Sequence, residues 1–173
     1  MILKPTALDT IIQSSTVELM RSHNVSVAPR PRGEVVGHLP VSEVAGIIRF
    51  EGPKIMGTLT LAVPVVVYDL VMQRRPQNTT HEEWTYELTN QVMGRIRARL
   101  IQFQVRLRTY VPVVLSGLAL ERHRRSIAAD VAYRFGTLRG EITISVDASL
   151  TRAVLEYSNA PLVISDTDLL LFD

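Results

Sequence analysis

Residues 80–103 read THEEWTYELTNQVMGRIRARLIQF, and the way this stretch folds decides how the rest of the chain is assembled. It predicts one long helix. Thr80 followed by Glu83 has the spacing of a capping box, in which hydroxyl and carboxylate satisfy free amide groups of the first turn. Winding the segment at roughly 100° per residue puts Leu88, Val92, Ile96, Leu100 and Phe103 on one face, flanked by Met93 and Tyr86. That face is expected to be core. The opposite side carries Glu87, Asn90, Gln91, Gly94 and Ala98. A solvated helix face is normally filled with Lys, Glu and Arg. Here its centre holds Gly94, which lowers helix propensity by about 1 kcal/mol relative to Ala. A bare strip beside a Glu and an Asn lets another backbone come close.

Glu87 and Asn90 lie at i and i+3 and project side by side from one patch. The pattern Glu-x-x-Asn-x-x-x-Gly, here ELTNQVMG, resembles the signature of the CheX-type chemotaxis phosphatases, relatives of CheC and FliY. Downstream, Val111-Pro-Val-Val-Leu-Ser-Gly117 is similar to the same family's segment of strand, proline, short apolar run and glycine. The resemblance implies a phosphatase that hydrolyses the aspartyl phosphate of a CheY-type response regulator. Phosphoryl transfer is catalysed mainly by positioning and electrostatics. An amide can hold a water at a defined angle without bringing charge into a polyanionic site. By resemblance, Asn90 orients the attacking water and Glu87 reaches the receiver's active-site lysine. Gly94 and Ala98 keep the docking face thin, and Gln91 is a peripheral contact. The protein needs no cofactor of its own, since Mg²⁺ is supplied by the phosphorylated receiver. The resemblance also implies a homodimer. Arg95, Arg97 and Arg99 depart from the pattern, because a small polar residue often follows the motif glycine. They are expected to border the docking face.

Composition sets wider limits. A chain of 173 residues, 46% hydrophobic, is most simply one folded domain spanning 1–173. There is no cysteine, which fits a reducing cytoplasm. No secretory signal is expected, and the longest apolar run, Leu61 to Met72, is too short to cross a bilayer. The four histidines, His23, His38, His81 and His123, show no metal-ligand spacing and are expected at the surface. Nineteen basic residues against 17 acidic ones leave a net charge of only +2. The arginines do cluster, with Arg106, Arg108, Arg122, Arg124 and Arg125 following the row on the helix. A nucleic-acid surface, an acidic protein partner and a solvated helix end are the readings of that cluster.

Along the chain, Leu8–Ser22 predicts a first helix and Asn24–Val27 a short strand. Pro29–Gly33 marks a loop. Gly46–Phe50 and Gly57–Val63 alternate as a half-buried hairpin around Gly52-Pro53. Pro64 suits the first turn of a short helix ending near Met72. After the long helix, Val105–Tyr110, Val113–Leu120, Ile127–Phe135 and Glu141–Asp147 predict strands, the last at a sheet edge. The tail beyond Pro161 is apolar and acidic. Arg49-Phe50 with Gly57–Val63 lines up with Arg134-Phe135 and Gly140–Val146, each hairpin following a helix. The fold class is therefore α+β: a mixed, largely antiparallel sheet packed against two long helices, built as two degenerate helix–hairpin units. Glu18-Leu-Met-Arg21 in the first helix corresponds to Glu87-Leu-Thr-Asn90 in the second, and one copy alone has the Asn. The alternatives to an enzyme are a non-catalytic receiver-binding or motility-associated module of the same fold, and a DNA-associated protein using the arginines.

Overall fold

The computed structural model describes residues 7–31, 42–52, 55–74, 78–126 and 131–146. The described elements run, in chain order, α1 (Ala7–Ser22), β1 (Ala28–Pro29), β2 (Glu43–Gly52), β3 (Ile55–Pro64), α2 (Val65–Arg74), α3 (His81–Leu100), β4 (Arg108–Thr109), β5 (Val113–Ser116), α4 (Gly117–Ser126), β6 (Val131–Gly136) and β7 (Glu141–Val146). Seven strands form one antiparallel sheet in the order β1-β6-β7-β3-β2-β4, with β5 also bonded to β2.

Strand alternation gives the sheet its inner face. Ile48, Phe50, Leu59, Leu61, Val63, Val131, Tyr133, Phe135, Ile142, Ile144 and Val146 all join one core. Against them pack Leu8, Ile11, Ile12, Leu19 and Met20 of α1 and Leu88, Val92, Met93, Ile96 and Leu100 of α3. Tyr133 donates its hydroxyl to Asp9 Oδ1 at 2.9 Å, which pins α1 to the sheet inside this layer. The outer face is covered at one corner, where Leu120 of α4 lies on Ala45 and Ala62.

Both helices end as the chain chemistry requires. Thr80 accepts from the Glu83 amide at 3.1 Å, and Glu83 Oε2 accepts from the Thr80 amide at 2.8 Å, so the predicted capping box is formed. Leu100 leads into a single 3₁₀ turn, Ile101–Phe103, that ends at Gln104 with φ +59°. At the end of α1, the Asn24 amide bonds to Arg21 O at 2.9 Å and the Val25 amide to Met20 O at 2.9 Å. With Asn24 at φ +59° and Val25 and Met20 both buried, this is a Schellman motif with its apolar contact.

Where α3 crosses β2, Gly46 meets Thr89. A Cβ at Gly46 would lie 2.0 Å from Thr89 Oγ1, so the side chain is missing because there is no room for it. Thr89 is fully buried, and its hydroxyl donates to Thr85 O at 2.7 Å, so the Thr89 hydroxyl itself is satisfied within the helix.

Several expectations are corrected. The strand placed at Asn24–Val27 is instead the two-residue β1, because those residues complete the end of α1. Val105–Tyr110 contributes only two paired residues. Val113–Leu120 stops being strand at Ser116: Gly117, at φ +54°, turns the chain into α4. Pro64 closes β3, and α2 begins one residue later. Glu141–Val146 is not an edge but lies between β3 and β6. Tyr86, expected beside the core, is 36% exposed. His81 is half-buried and stacks on Tyr68, and burial lowers its pKa from the ordinary value. The turn at Gly52-Pro53, His38, residues 127–130 and the tail after Pro161 lie outside the described residues or are only partly within them.

The two hairpins do resemble each other, with one adjustment. Leu61 and Ile144, equivalent in the alignment, are also Cα partners, so a local two-fold passes between β3 and β7. Phe135 faces Ile142, however, and it is Ile48 rather than Phe50 that faces Leu59. The Arg-Phe pairs are out of register.

Gly46→Ala is expected to destabilise the protein by about 2–3 kcal/mol through overpacking. Thr89→Ala in the same chain should recover part of that loss. Urea unfolding midpoints of the single and double variants measure both effects.

Candidate functional site

The outer face of α3 is set by the inner one. With Trp84, Thr85, Leu88, Thr89, Val92, Met93, Ile96 and Leu100 buried, the remaining positions have one direction left. Glu87 and Ala98 are exposed, and Asn90, Gln91 and Gly94 are half-buried. All five residues singled out in the sequence therefore share one surface. Nothing lies within 4 Å of the place a Gly94 Cβ would occupy, so the bare strip is open.

The polar groups on this surface are held differently. Glu87 Oε1 accepts from Gln91 Nε2 at 2.7 Å, one turn along the helix. Gln91 Oε1 lies 3.2 Å from His23 Nε2, so the end of α1 is joined to the same patch. The Asn90 side chain has no hydrogen-bond partner among the described residues. Its amide, with one acceptor and two donor hydrogens, is available to a molecule approaching from outside. Tyr86, one turn before Asn90, adds an exposed ring that helical periodicity assigned to the core.

The arginine row does not face outward as a block. Arg99 donates to Glu18 Oε2 at 2.6 Å and to Ser15 Oγ at 3.0 Å, and Arg95 stands 3.8 Å from Glu18. The hydrogen bond and charge of Arg99 hold the Glu18 carboxyl below the usual carboxylate range. Arg97 reaches Thr109 of β4 at 3.5 Å. Glu18, the α1 counterpart of Glu87, is thus paired at the surface with arginines of its own chain, and Arg21 stands where the second copy has Asn90. Trp84 is 3% exposed, with the His23 ring edge-on at 5.9 Å and the Tyr68 ring tilted at 5.9 Å. Its ring neighbours lie at the end of α1 and on α2, and it belongs to the core rather than to the surface.

Among the described residues, no three His, Asp or Glu side chains come together to hold a metal ion. None of the described helices is long and apolar enough to cross a membrane.

No protein-family model matches the sequence, and no curated protein matches it either. Solved structures do. CheX from Vibrio vulnificus superimposes with a TM-score of 0.67 at 17% identity, over 82% of this chain and 99% of that one. The chain has the CheC/CheX fold. A CheC-like superfamily protein from Shewanella sp. PV-4 gives 0.66 at 19% identity, covering 80% of this chain and 95% of its own. CheX from Borrelia burgdorferi, solved as a complex with CheY, BeF₃ and Mg²⁺, gives 0.59 at 11% identity over 83% and 99% of the two chains. On this CheC/CheX scaffold, α1 and α3 are the two long helices expected from the sequence, and the Glu87–Asn90 patch lies on the outside of the second.

If Gly94 served packing, replacing it would harm the fold. With open space around it, Gly94→Ala is expected to stabilise the protein by about 0.5–1 kcal/mol, the helix-propensity difference. A higher urea midpoint with an unchanged slope is the expected observation.

Proposed function

We propose that this protein is a phosphatase for the aspartyl phosphate of a CheY-type response regulator, acting in the cytoplasm in chemotaxis or motility signalling. The observation that carries the reading is the uncommitted Asn90 amide beside Glu87 on a helix face left bare at Gly94. A CheX of the same fold, bound to CheY with BeF₃ and Mg²⁺, supports the choice of partner.

On this reading the outer face of α3 docks across the phosphorylated site of the receiver. Asn90 enters that site and fixes a water in line with the phosphorus–carboxylate bond, accepting from it or donating to it without adding negative charge. Glu87 pairs with the receiver's lysine, which anchors the complex and keeps that cation in place. Gly94 and Ala98 let the two backbones approach, and Gln91 lies at the margin. The receiver brings the Mg²⁺ that screens the phosphoryl oxygens, and this chain contributes position alone. Water attacks phosphorus, the bond to the aspartate oxygen breaks, and inorganic phosphate leaves with the receiver carboxylate regenerated.

Asn90→Ala is expected to reduce the accelerated decay of receiver phosphate on the order of 100-fold, with stability unchanged because the amide holds nothing in the fold. Unaltered decay in that variant would leave a receiver-binding module of the same fold. Glu87→Ala should weaken binding of the receiver about tenfold through loss of a charge-assisted pair. The lifetime of phosphorylated CheY-type receivers, followed with and without each variant, makes both measurements.

A homodimer is part of the same proposal, but not through β7, which is internal. β5 is bonded to β2 on one side, and Val113 is 58% exposed with Val111 74% exposed beside it. Among the described residues its other edge is unpaired, and an edge of this kind favours pairing with a second copy. Sedimentation at micromolar concentration should give a dimeric mass, and Val113→Lys should shift it toward the monomer.

A further inference from the structure

Glu87 is an exposed side chain, and an exposed glutamate ordinarily samples many rotamers. Here it does not stand alone. Gln91 Nε2 donates to Glu87 Oε1 at 2.7 Å, and Gln91 Oε1 faces His23 Nε2 at 3.2 Å. The chemistry fixes each direction in this chain. A carboxylate only accepts, so the amide nitrogen of Gln91 must turn toward Glu87. Its oxygen is then left for His23, and His23 must carry its proton on Nε2 to bond to it.

His23 is itself held from three sides. Its amide bonds to Met20 O at 3.0 Å, and the next residue, Asn24, closes the Schellman turn at φ +59°. Its ring meets buried Trp84 edge-on at 5.9 Å. The imidazole therefore has a fixed place on a rigid helix end, and through Gln91 that place is transmitted to the Glu87 carboxylate. Glu87 Oε2 is left for a partner.

We infer that His23 and Gln91 are positioning residues: they order the Glu87 carboxylate before the partner arrives, so that docking does not carry the cost of immobilising it. The inference rests on the reading of Glu87 as the anchor for a receiver cation. It adds His23, at the end of α1, which no motif on α3 contains. The ordering of one long side chain corresponds to about a three- to tenfold change in affinity.

The test uses the full chain and a CheY-type receiver, phosphorylated for kinetics or carrying BeF₃ and Mg²⁺ for binding. His23→Phe keeps a ring against Trp84 and removes the donor. His23→Gln restores an N–H near the Nε2 position. Gln91→Leu breaks the chain in its middle. The expected result is a three- to tenfold rise in KM and Kd for His23→Phe and Gln91→Leu with kcat unchanged, and recovery in His23→Gln. Independently of any receiver, ¹⁵N spectra of the wild type should show the Nε2–H tautomer of neutral His23 in excess of its share in a free histidine, falling back to that share in Gln91→Leu. KM unchanged or lowered in both disrupting variants, while Glu87→Ala raises it, would overturn the positioning role and leave the anchor standing. An unchanged KM in Glu87→Ala would remove the anchor and the inference together, whatever the tautomer.

Discussion

The missing side chain at Gly46 is the constraint on which this structure turns. At that point α3 crosses β2, and the methyl group of an alanine would collide with the Thr89 hydroxyl. The contact fixes both the distance of α3 from the sheet and its rotation about its own axis. Rotation is the consequential part. Thr89 pressed into the sheet leaves its sequence neighbour Asn90 pointing away from it, and Glu87, Gly94 and Ala98 follow on the same side. A buried threonine is usually a poor choice at a core position, because its hydroxyl needs a partner. Here Thr85 O supplies that partner within the helix, so the residue that makes the close approach is itself satisfied.

The two halves of the chain use the same plan to different ends. In α3, Glu87 and Asn90 are turned outward over a bare glycine. In α1, Glu18 is drawn into a cluster with Arg99, Arg95 and Ser15. The arginine row that departs from the CheX-like pattern is what makes this difference. It converts the surface of the first half into support for the second. Charge that would otherwise crowd the open patch is neutralised within the helix pair.

Much of this could be read from the residues. The capping box at Thr80 and Glu83, the apolar stripe of α3 and the alternation in β2, β3, β6 and β7 all rest on short-range chemistry, and all appear in the structure. α4 could not be read so easily. Its segment buries one apolar residue, Leu120, and follows a run of valines with strong β propensity, so the pattern favours strand through Leu120. The one local sign was Gly117, whose positive φ marks the junction. Strand order was equally hidden, since alternation says which face a residue takes and not which strand lies beside it. His23 was missed for a third reason. It sits where helical periodicity stops, and its link to Glu87 runs through a residue on another helix.

The seam between β3 and β7 also has a kinetic meaning. Each hairpin joins strands that follow one another in sequence, and each can close locally. Leu61 and Ile144, by contrast, come from opposite halves of the chain, and bringing them together closes a long loop before any contact rewards it. By the same loop-closure argument, the pairing on the pseudo-two-fold axis is slower to form than either hairpin. Phe135 and Phe50, Tyr133 with Asp9, and the close passage of α3 over Gly46 all depend on a sheet that is whole only after that closure. Loop closure favours the hairpins as early units, and the outer face of α3 takes its orientation when the halves meet.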